Sequence, residues 1–218
     1  MTARTRDEAQ GASEWVAATG NPGKVREFAA ALVPAGVRLV AATDLGVGPF
    51  PPEDATTYEE NAMLKAAFVA LETGLVAIAD DSGLEVDALG GEPGVLSARF
   101  GGDLEDGERI AYLLQQLRRV PDELRTARFV SVIVVARPEG DVAVFRGVCE
   151  GTILQGPRGE GGFGYDPVFF SSDLGRSFGE ATLAEKARVS HRGRALRSVL
   201  VWLDTPHGRS FLGDRAGS

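Results

Sequence analysis

Apolar residues along the chain fall into runs of strand length and helical repeats at i, i+3 and i+4 spacing. Residues 15–19 form a short apolar run and predict a strand. It leads into a helix whose Val25, Phe28, Ala29 and Leu32 share one face, stopped by Pro34 and Gly36. A second helix is predicted over residues 58–72, with Leu64, Ala67, Phe68 and Leu71 as its buried stripe. Gly74 closes it before an apolar strand at 75–79. A third helix follows Gly107 and buries Ile110, Leu113, Leu114 and Leu117. Residues 129–136 and 142–149 read as an antiparallel hairpin across Pro138, Glu139, Gly140 and Asp141. A last helix over 191–203 presents Leu196, Val199, Leu200 and Leu203.

This order is neither a strict βαβ alternation nor a run of strands, so it predicts a mixed α/β sheet with helices packed on it. In such open sheets the ligand crevice lies beyond strand ends. Residues 1–14 and the tail from Asp204 are polar and aperiodic and read as extensions, leaving 15–203 as one domain. The first residues carry no apolar signal-like segment, and the longest apolar runs are far too short to span a bilayer. The expectation is a cytoplasmic protein without a membrane partner. A single cysteine, Cys149, excludes an internal disulfide framework and a cysteine-rich zinc site.

Charge and glycine content sharpen the picture. With 23 Lys and Arg against 31 Asp and Glu, the net charge is −8, which argues against nucleic acid as a partner. An acidic protein that handles phosphates must concentrate positive charge locally. The 28 glycines cluster around 83–102 and 156–164, as expected of loops that approach a ligand closely.

Four segments could carry chemistry. Thr19, Gly20, Asn21, Pro22, Gly23 and Lys24 join a strand to a helix. Asn21 suits the N-cap and Pro22 the first helical position, so free amides and Lys24 converge as in a phosphate site. An ordinary capped helix start would read the same. Glu60 continues the expected inward stripe of the second helix and is either the far half of a capping box begun at Thr57 or a metal ligand. Asp80 and Asp81 end the apolar strand and precede Ser82 and Gly83. Adjacent strand residues face opposite sides, so one acid should face the crevice and the other support it. Glu60 with one of this pair would make a hard oxygen site suited to Mg²⁺.

Gly159, Gly161 and Gly164 formally match G-x-G-x-x-G, but no helix pattern follows, so a dinucleotide fingerprint is rejected. A glycine loop carrying Phe163, Tyr165 and Asp166 is better suited to holding a flat base, although both aromatics could equally be core. Residues 186–197 hold five lysines and arginines, with His191, and no acid. Within an acidic chain they are the obvious counter-charge for a polyanion.

The segments TGNPGK at 19–24, TYEENAMLKA at 57–66, AIADDSGLEVDALGGEPGVLSARF at 77–100, GGFGYDPVF at 161–169 and EKARVSHRGRAL at 185–196, in this order, closely resemble the inosine triphosphate pyrophosphatase family. The resemblance covers about residues 15–203. It implies an elongated mixed α/β fold with flanking helices, two lobes around a central cleft, and a homodimer. It further implies Mg²⁺-dependent hydrolysis of inosine, deoxyinosine or xanthosine triphosphate to monophosphate and pyrophosphate. On matching positions it implies that Thr19, Gly20, Asn21, Pro22, Gly23 and Lys24 cradle phosphates. Glu60 and Asp81 would hold the metal, and Asp81 would accept the proton of the attacking water. Ser82, Phe163, Gly164, Tyr165, Asp166, Lys186, His191 and Arg192 would contact substrate.

Selectivity is expected at the purine edge, where a 6-oxo acceptor replaces the amino donor of adenine. Guanine shares that 6-oxo group, and the sequence identifies no element that would reject its 2-amino group. Competing readings are a pyrophosphatase for another modified nucleotide, a nucleotide sensor without turnover, and a nucleic-acid module built on residues 186–197.

Overall fold

A computed structural model of the chain describes residues 12–212. Its sheet contains β1 (Ser13–Ala17), β2 (Val37–Ala41), β3 (Val76–Val86), β4 (Thr126–Ala136), β5 (Val142–Ile153), β6 (Phe169–Ser171) and β7 (Arg176–Ser177). The spatial order is β2-β1-β3-β4-β5-β6-β7. β1 runs parallel to β2 and β3, and every later pairing is antiparallel. The parallel pairs require crossovers, supplied by α1 (Pro22–Leu32) and α2 (Tyr58–Thr73), whereas β4 and β5 need only a tight turn. The remaining helices are α3 (Asp106–Gln116), α4 (Leu183–Val189), α5 (His191–Leu203) and α6 (Pro206–Ser210). No helix among the described residues is long and apolar enough to cross a membrane.

Three long strands build two lobes. Toward the start of β3, alternation sends Ile78, with Ile133 and Val135 of β4, into a core under α1 and α5. Ala77 and Ala79, with Val134 and Ala136, face α2 instead. At their other ends the same strands give Leu84, Val86, Ala127, Phe129, Cys149 and Ile153 to a separate core under α3. Residues 80–83 lie between the lobes.

The expected strand at 75–79 thus continues through both acids. Pairing with β4 from Ala77↔Ala136 to Val86↔Ala127 satisfies the backbone, so Asp80 and Asp81 stand inside a strand, not at its end. Gly83 permits this crossing. A Cβ there would lie 2.2 Å from the Gly94 carbonyl oxygen.

The second helix is rotated from its predicted face. Its buried stripe is Tyr58, Asn61, Ala62, Lys65, Ala66, Val69 and Ala70, while Leu64 and Leu71 are exposed. Small residues let α2 settle closely on the sheet, which outweighs the larger area of the leucines. The sequence boundary at 203 also shifts. Thr205 caps α6, and Phe211 is 1% exposed within the first core. The Trp15 indole donates to the Phe211 carbonyl at 3.2 Å, joining this segment to β1. β1 itself begins at Ser13, and the rest of the predicted N-terminal extension up to residue 11 lies outside the described residues.

Candidate active site

The turn from β1 to α1 forms as its residue types dictate. The Asn21 side chain accepts from the Gly23 and Lys24 amides at 2.8 and 3.2 Å, with Pro22 in the first turn. Thr19 Oγ1 accepts from the Asn21 amide at 3.1 Å. Lys24 turns toward β3, where its Nζ lies 2.8 Å from Asp80 Oδ2.

Strand alternation gives the two acids different duties. Asp80 shares the Ile78 face and meets α1 and α5: besides Lys24, Arg192 Nη2 donates to its Oδ2 at 3.0 Å, as does the Ser82 hydroxyl. Ser131 Oγ donates to Oδ1. Complete burial would push this carboxyl up, but Arg192 and Lys24 outweigh it and hold Asp80 well below the usual carboxylate range. Asp81 shares the Ala79 face and meets α2. Its Oδ2 accepts from Asn61 Nδ2 at 2.9 Å and its Oδ1 from the Ser82 amide at 3.0 Å, but no ion pair to it occurs among the described residues. Burial therefore prevails, reinforced by Glu53 and only partly opposed by Lys65 and Asn61, and the Asp81 carboxyl is raised.

Glu60 is not brought to Asp81. It is exposed on the first turn of α2, where its amide donates to Thr57 Oγ1 and its carboxylate accepts from that hydroxyl at 2.9 Å. It borders a surface depression shared with Tyr58 and Glu85. The rotation of α2 explains the displacement: the stripe that Glu60 extends faces outward. The carboxylate near Asp81 is Glu53, paired with Lys65, whose Nζ also donates to the Asp80 carbonyl at 2.9 Å. Sequence reading missed both. Asn61 and Lys65 were legible in principle as polar residues four apart on an alanine-rich stripe, but Glu53 lies in a loop with no periodicity.

The glycine loop closes the other side. Asp166 Oδ2 accepts from the Phe163 amide at 2.9 Å and from Lys186 Nζ at 2.6 Å. Lys186 Nζ lies 4.6 Å from the Phe163 ring centroid, and the ring covers Gly23, where a Cβ would approach it to 2.9 Å. Phe163 is half-buried and available to the cleft, whereas Tyr165 is buried, with its hydroxyl donating to the Ser97 carbonyl at 2.9 Å. Only one of the two aromatics is left partly exposed at the cleft.

The basic segment is not a solvated face. Ser190 ends α4 and caps α5, which buries Lys186, His191 and Arg192 at the corner. Glu27 of α1, absent from the sequence reading, pairs with Lys186 at 3.4 Å and with Arg192 at 2.6 Å. His191 stacks on Phe129 with centroids 4.7 Å apart. Burial, with Arg192 and Lys186 beside it, lowers its pKa well below the ordinary value, so the ring is neutral. Its buried Nδ1 has no partner.

One cavity of about 510 Å³ unites these groups. Thr19, Gly20, Asn21, Lys24, Ser82, Phe163, Gly164, Tyr165, Asp166, Lys186, His191 and Arg192 line it, as do the unforeseen Glu53, Lys65, Asp106 and Arg109. Pro22 and Gly23 lie behind it in the first turn of α1, and Asp81 adjoins it from the α2 side. The amides expected to be free in the Thr19 to Lys24 turn are taken up by Thr19 and Asn21, so the crevice offers cations and a flat aromatic rather than free amides. That combination suits a nucleotide carrying several phosphates. Among the described residues no three His, Cys, Asp or Glu side chains form a ready-made metal cage. Two carboxylates, Asp81 and Glu53, are nonetheless what Mg²⁺ requires when water and phosphate complete its shell.

Comparison with known proteins identifies the family and fold of this chain. The model of the Ham1 family matches residues 15–202. The dITP/XTP pyrophosphatase of Thermus thermophilus is 56% identical over 195 residues, covering 89% of this chain and 94% of that protein. The protein of the same name from Deinococcus radiodurans is 52% identical over 186 residues, 85% and 90% of the two chains. Among solved structures, a HAM1 protein from Coxiella burnetii superposes with a TM-score of 0.79 at 38% identity, covering 88% of this chain and 98% of its own. A nucleoside-triphosphatase and dITP/XTP pyrophosphatase from Mycobacterium abscessus gives 0.69 at 44%, covering 87% and 99%.

Proposed function

The chain belongs to the Ham1 family, and from that premise we propose that it hydrolyses non-standard purine nucleoside triphosphates to the monophosphate and pyrophosphate. The observation that carries this reading is the convergence of the Thr19 to Lys24 turn, Lys65, Lys186 and Arg192 on one cavity beside the unpaired carboxylate of Asp81. Relatives named dITP/XTP pyrophosphatase support the substrate class.

The phosphates lie against the Thr19 to Lys24 turn and the ammonium groups of Lys24 and Lys65, and the purine rests on Phe163. Asp81 accepts a proton from water as the water oxygen bonds to the α-phosphorus and the bond to the leaving pyrophosphate breaks. A raised carboxyl is the stronger base for this task. Asp80 cannot replace it, since its oxygens already serve Lys24, Arg192, Ser82 and Ser131. Asp81 and Glu53 would hold Mg²⁺. Asp81 fits such a cation, because it is buried with no ion pair among the described residues. When bound, the ion supplies charge neutralisation of the triphosphate. Donors near Lys186 and His191 read the 6-oxo edge. The protein acts on the cytoplasmic nucleotide pool as a homodimer, for which Leu96 and Val144, 46% and 38% exposed around one depression with Met63 and Val132, offer an apolar patch.

The test supplies Mg²⁺ with inosine, xanthosine, adenosine and guanosine triphosphates at equal concentration and measures pyrophosphate and phosphate separately. Pyrophosphate from the inosine and xanthosine compounds is the expected product. Phosphate alone would overturn the cleavage site.

A further inference from the structure

Among the described residues, Arg109 is the one cation lining the cleft that none of the sequence motifs contains. It projects from the first turn of α3 beside the glycine loop, and its side chain is 12% exposed. Two of its nitrogens are committed: Nη1 pairs with Asp106 Oδ1 at 3.2 Å, and Nη2 donates to the Leu104 carbonyl. Its Nε is buried with no acceptor. Asp106 in turn accepts from the Gly164 amide through Oδ2 at 2.8 Å, so the ion pair is fastened directly to the loop that carries Phe163.

The loop therefore has cations on two sides. Lys186 and Arg192 approach the Phe163 ring from α4 and α5, and on the α3 side Arg109 is joined to the loop through Asp106, which accepts from the Gly164 amide. A purine resting on Phe163 with its 6-oxo group toward the first pair turns another edge toward the second side. The exocyclic group nearest that edge is the 2-substituent, which is oxygen in xanthine, hydrogen in hypoxanthine and an amino group in guanine. A guanidinium donates only, so it rewards an oxygen there, is indifferent to hydrogen, and opposes an amino group.

We propose that Arg109, held against the glycine loop by Asp106, reads the 2-position of the bound purine, donating to the 2-oxo group of xanthine and disfavouring the 2-amino group of guanine. The inference deepens the nucleotide reading of the cleft and rests on it. It assigns the discrimination against guanine that the 6-oxo edge cannot provide, because a site built to donate at this position leaves a guanine amino group facing a donor.

The experiment measures kcat/KM of the wild type, Arg109→Met and Arg109→Gln with the xanthosine, inosine and guanosine triphosphates and Mg²⁺. In Arg109→Met the xanthosine-to-inosine ratio should fall about tenfold and the xanthosine-to-guanosine ratio further, as expected for loss of one charge-assisted hydrogen bond. Arg109→Gln, which retains an uncharged amide donor on a shorter side chain, should give intermediate ratios, and it carries the test if the Met variant fails to fold. Rates that fall in parallel for all three nucleotides would make Arg109 a structural residue only and overturn the proposal, as would unchanged ratios. A wild type inactive on every nucleotide would instead overturn the enzyme reading itself.

Discussion

Neutralising Asp80 and neutralising Asp81 should move stability in opposite directions, although the two are adjacent. Asp80→Asn leaves Lys24 and Arg192 short of a buried counter-charge, which costs about 3–5 kcal/mol. Because the folded carboxyl lies below its unfolded value, its contribution is complete above about pH 4 and is lost as pH falls toward the folded pKa. Urea titrations between about pH 2 and pH 4 should show a shallower decline for the Asn variant than for wild type. Asp81 has the reverse sign. Its raised carboxyl makes ionisation unfavourable in the fold, so its stabilising contribution exists only at acid pH and is gone at neutrality. Asp81→Asn, whose amide oxygen can still accept from Asn61, should melt slightly higher at pH 7 and have no measurable turnover. A lower melting temperature or retained activity would remove it from the proposed role. The strand period alone indicated that one acid faces the crevice and the other supports it. Which is which depended on Lys24, Arg192 and Asn61, all distant in sequence.

At the scale of elements, the least legible helix was α2, because it carries two apolar stripes. Composition favours Leu64, Phe68 and Leu71, but close packing on β3 and β4 selects Ala62, Ala66, Val69 and Ala70 and buries Asn61 and Lys65 with them. Polar residues on a buried stripe violate binary patterning, and such violations mark functional sites. Rotation of this helix turns Glu60 outward, and the proposed metal pair is therefore Asp81 with Glu53. Glu60→Gln should therefore keep near-wild-type kcat/KM, while Glu53→Gln should lose at least about tenfold and require more Mg²⁺ for half-maximal rate. Equal losses would restore Glu60 to the site. β3 was shortened in the sequence reading for a related reason: Asp80, Asp81 and Gly83 are poor strand formers, and only pairing with β4 and the approach of Gly94 hold them extended. Gly83→Ala should accordingly cost about 1–3 kcal/mol through collision with the Gly94 carbonyl, measurable as a lower denaturation midpoint.

For the molecule as a whole, a long mixed sheet supplies two cores with a polar passage between them, and the cleft occupies that passage. The mixed α/β class was legible from the order of periodic segments. The closure of the first core was not, because the polar sequence after Asp204 conceals two adjacent apolar residues, Phe211 and Leu212. Phe211 completes that core: it is 1% exposed, packs edge-on against Trp202 at 4.8 Å, and its carbonyl receives the Trp15 indole. Trp15 and Phe211 lie on opposite sides of the domain in sequence, so this contact ties β1 to the segment after α5 and helps fix α1, which carries the phosphate turn. The cleft lies away from this contact, and neither residue lines it. Phe211→Ala should therefore lower stability by about 3–5 kcal/mol, as large buried aromatics do when truncated, while kcat/KM of the folded fraction stays within about twofold of wild type at low temperature. Denaturation midpoints and initial rates measured on the same preparation would separate the two effects. A loss of activity at temperatures where the variant is fully folded would mean that the first core transmits strain to the phosphate turn, and a small stability change would mean that the segment after Asp204 is dispensable, as its polarity first suggests.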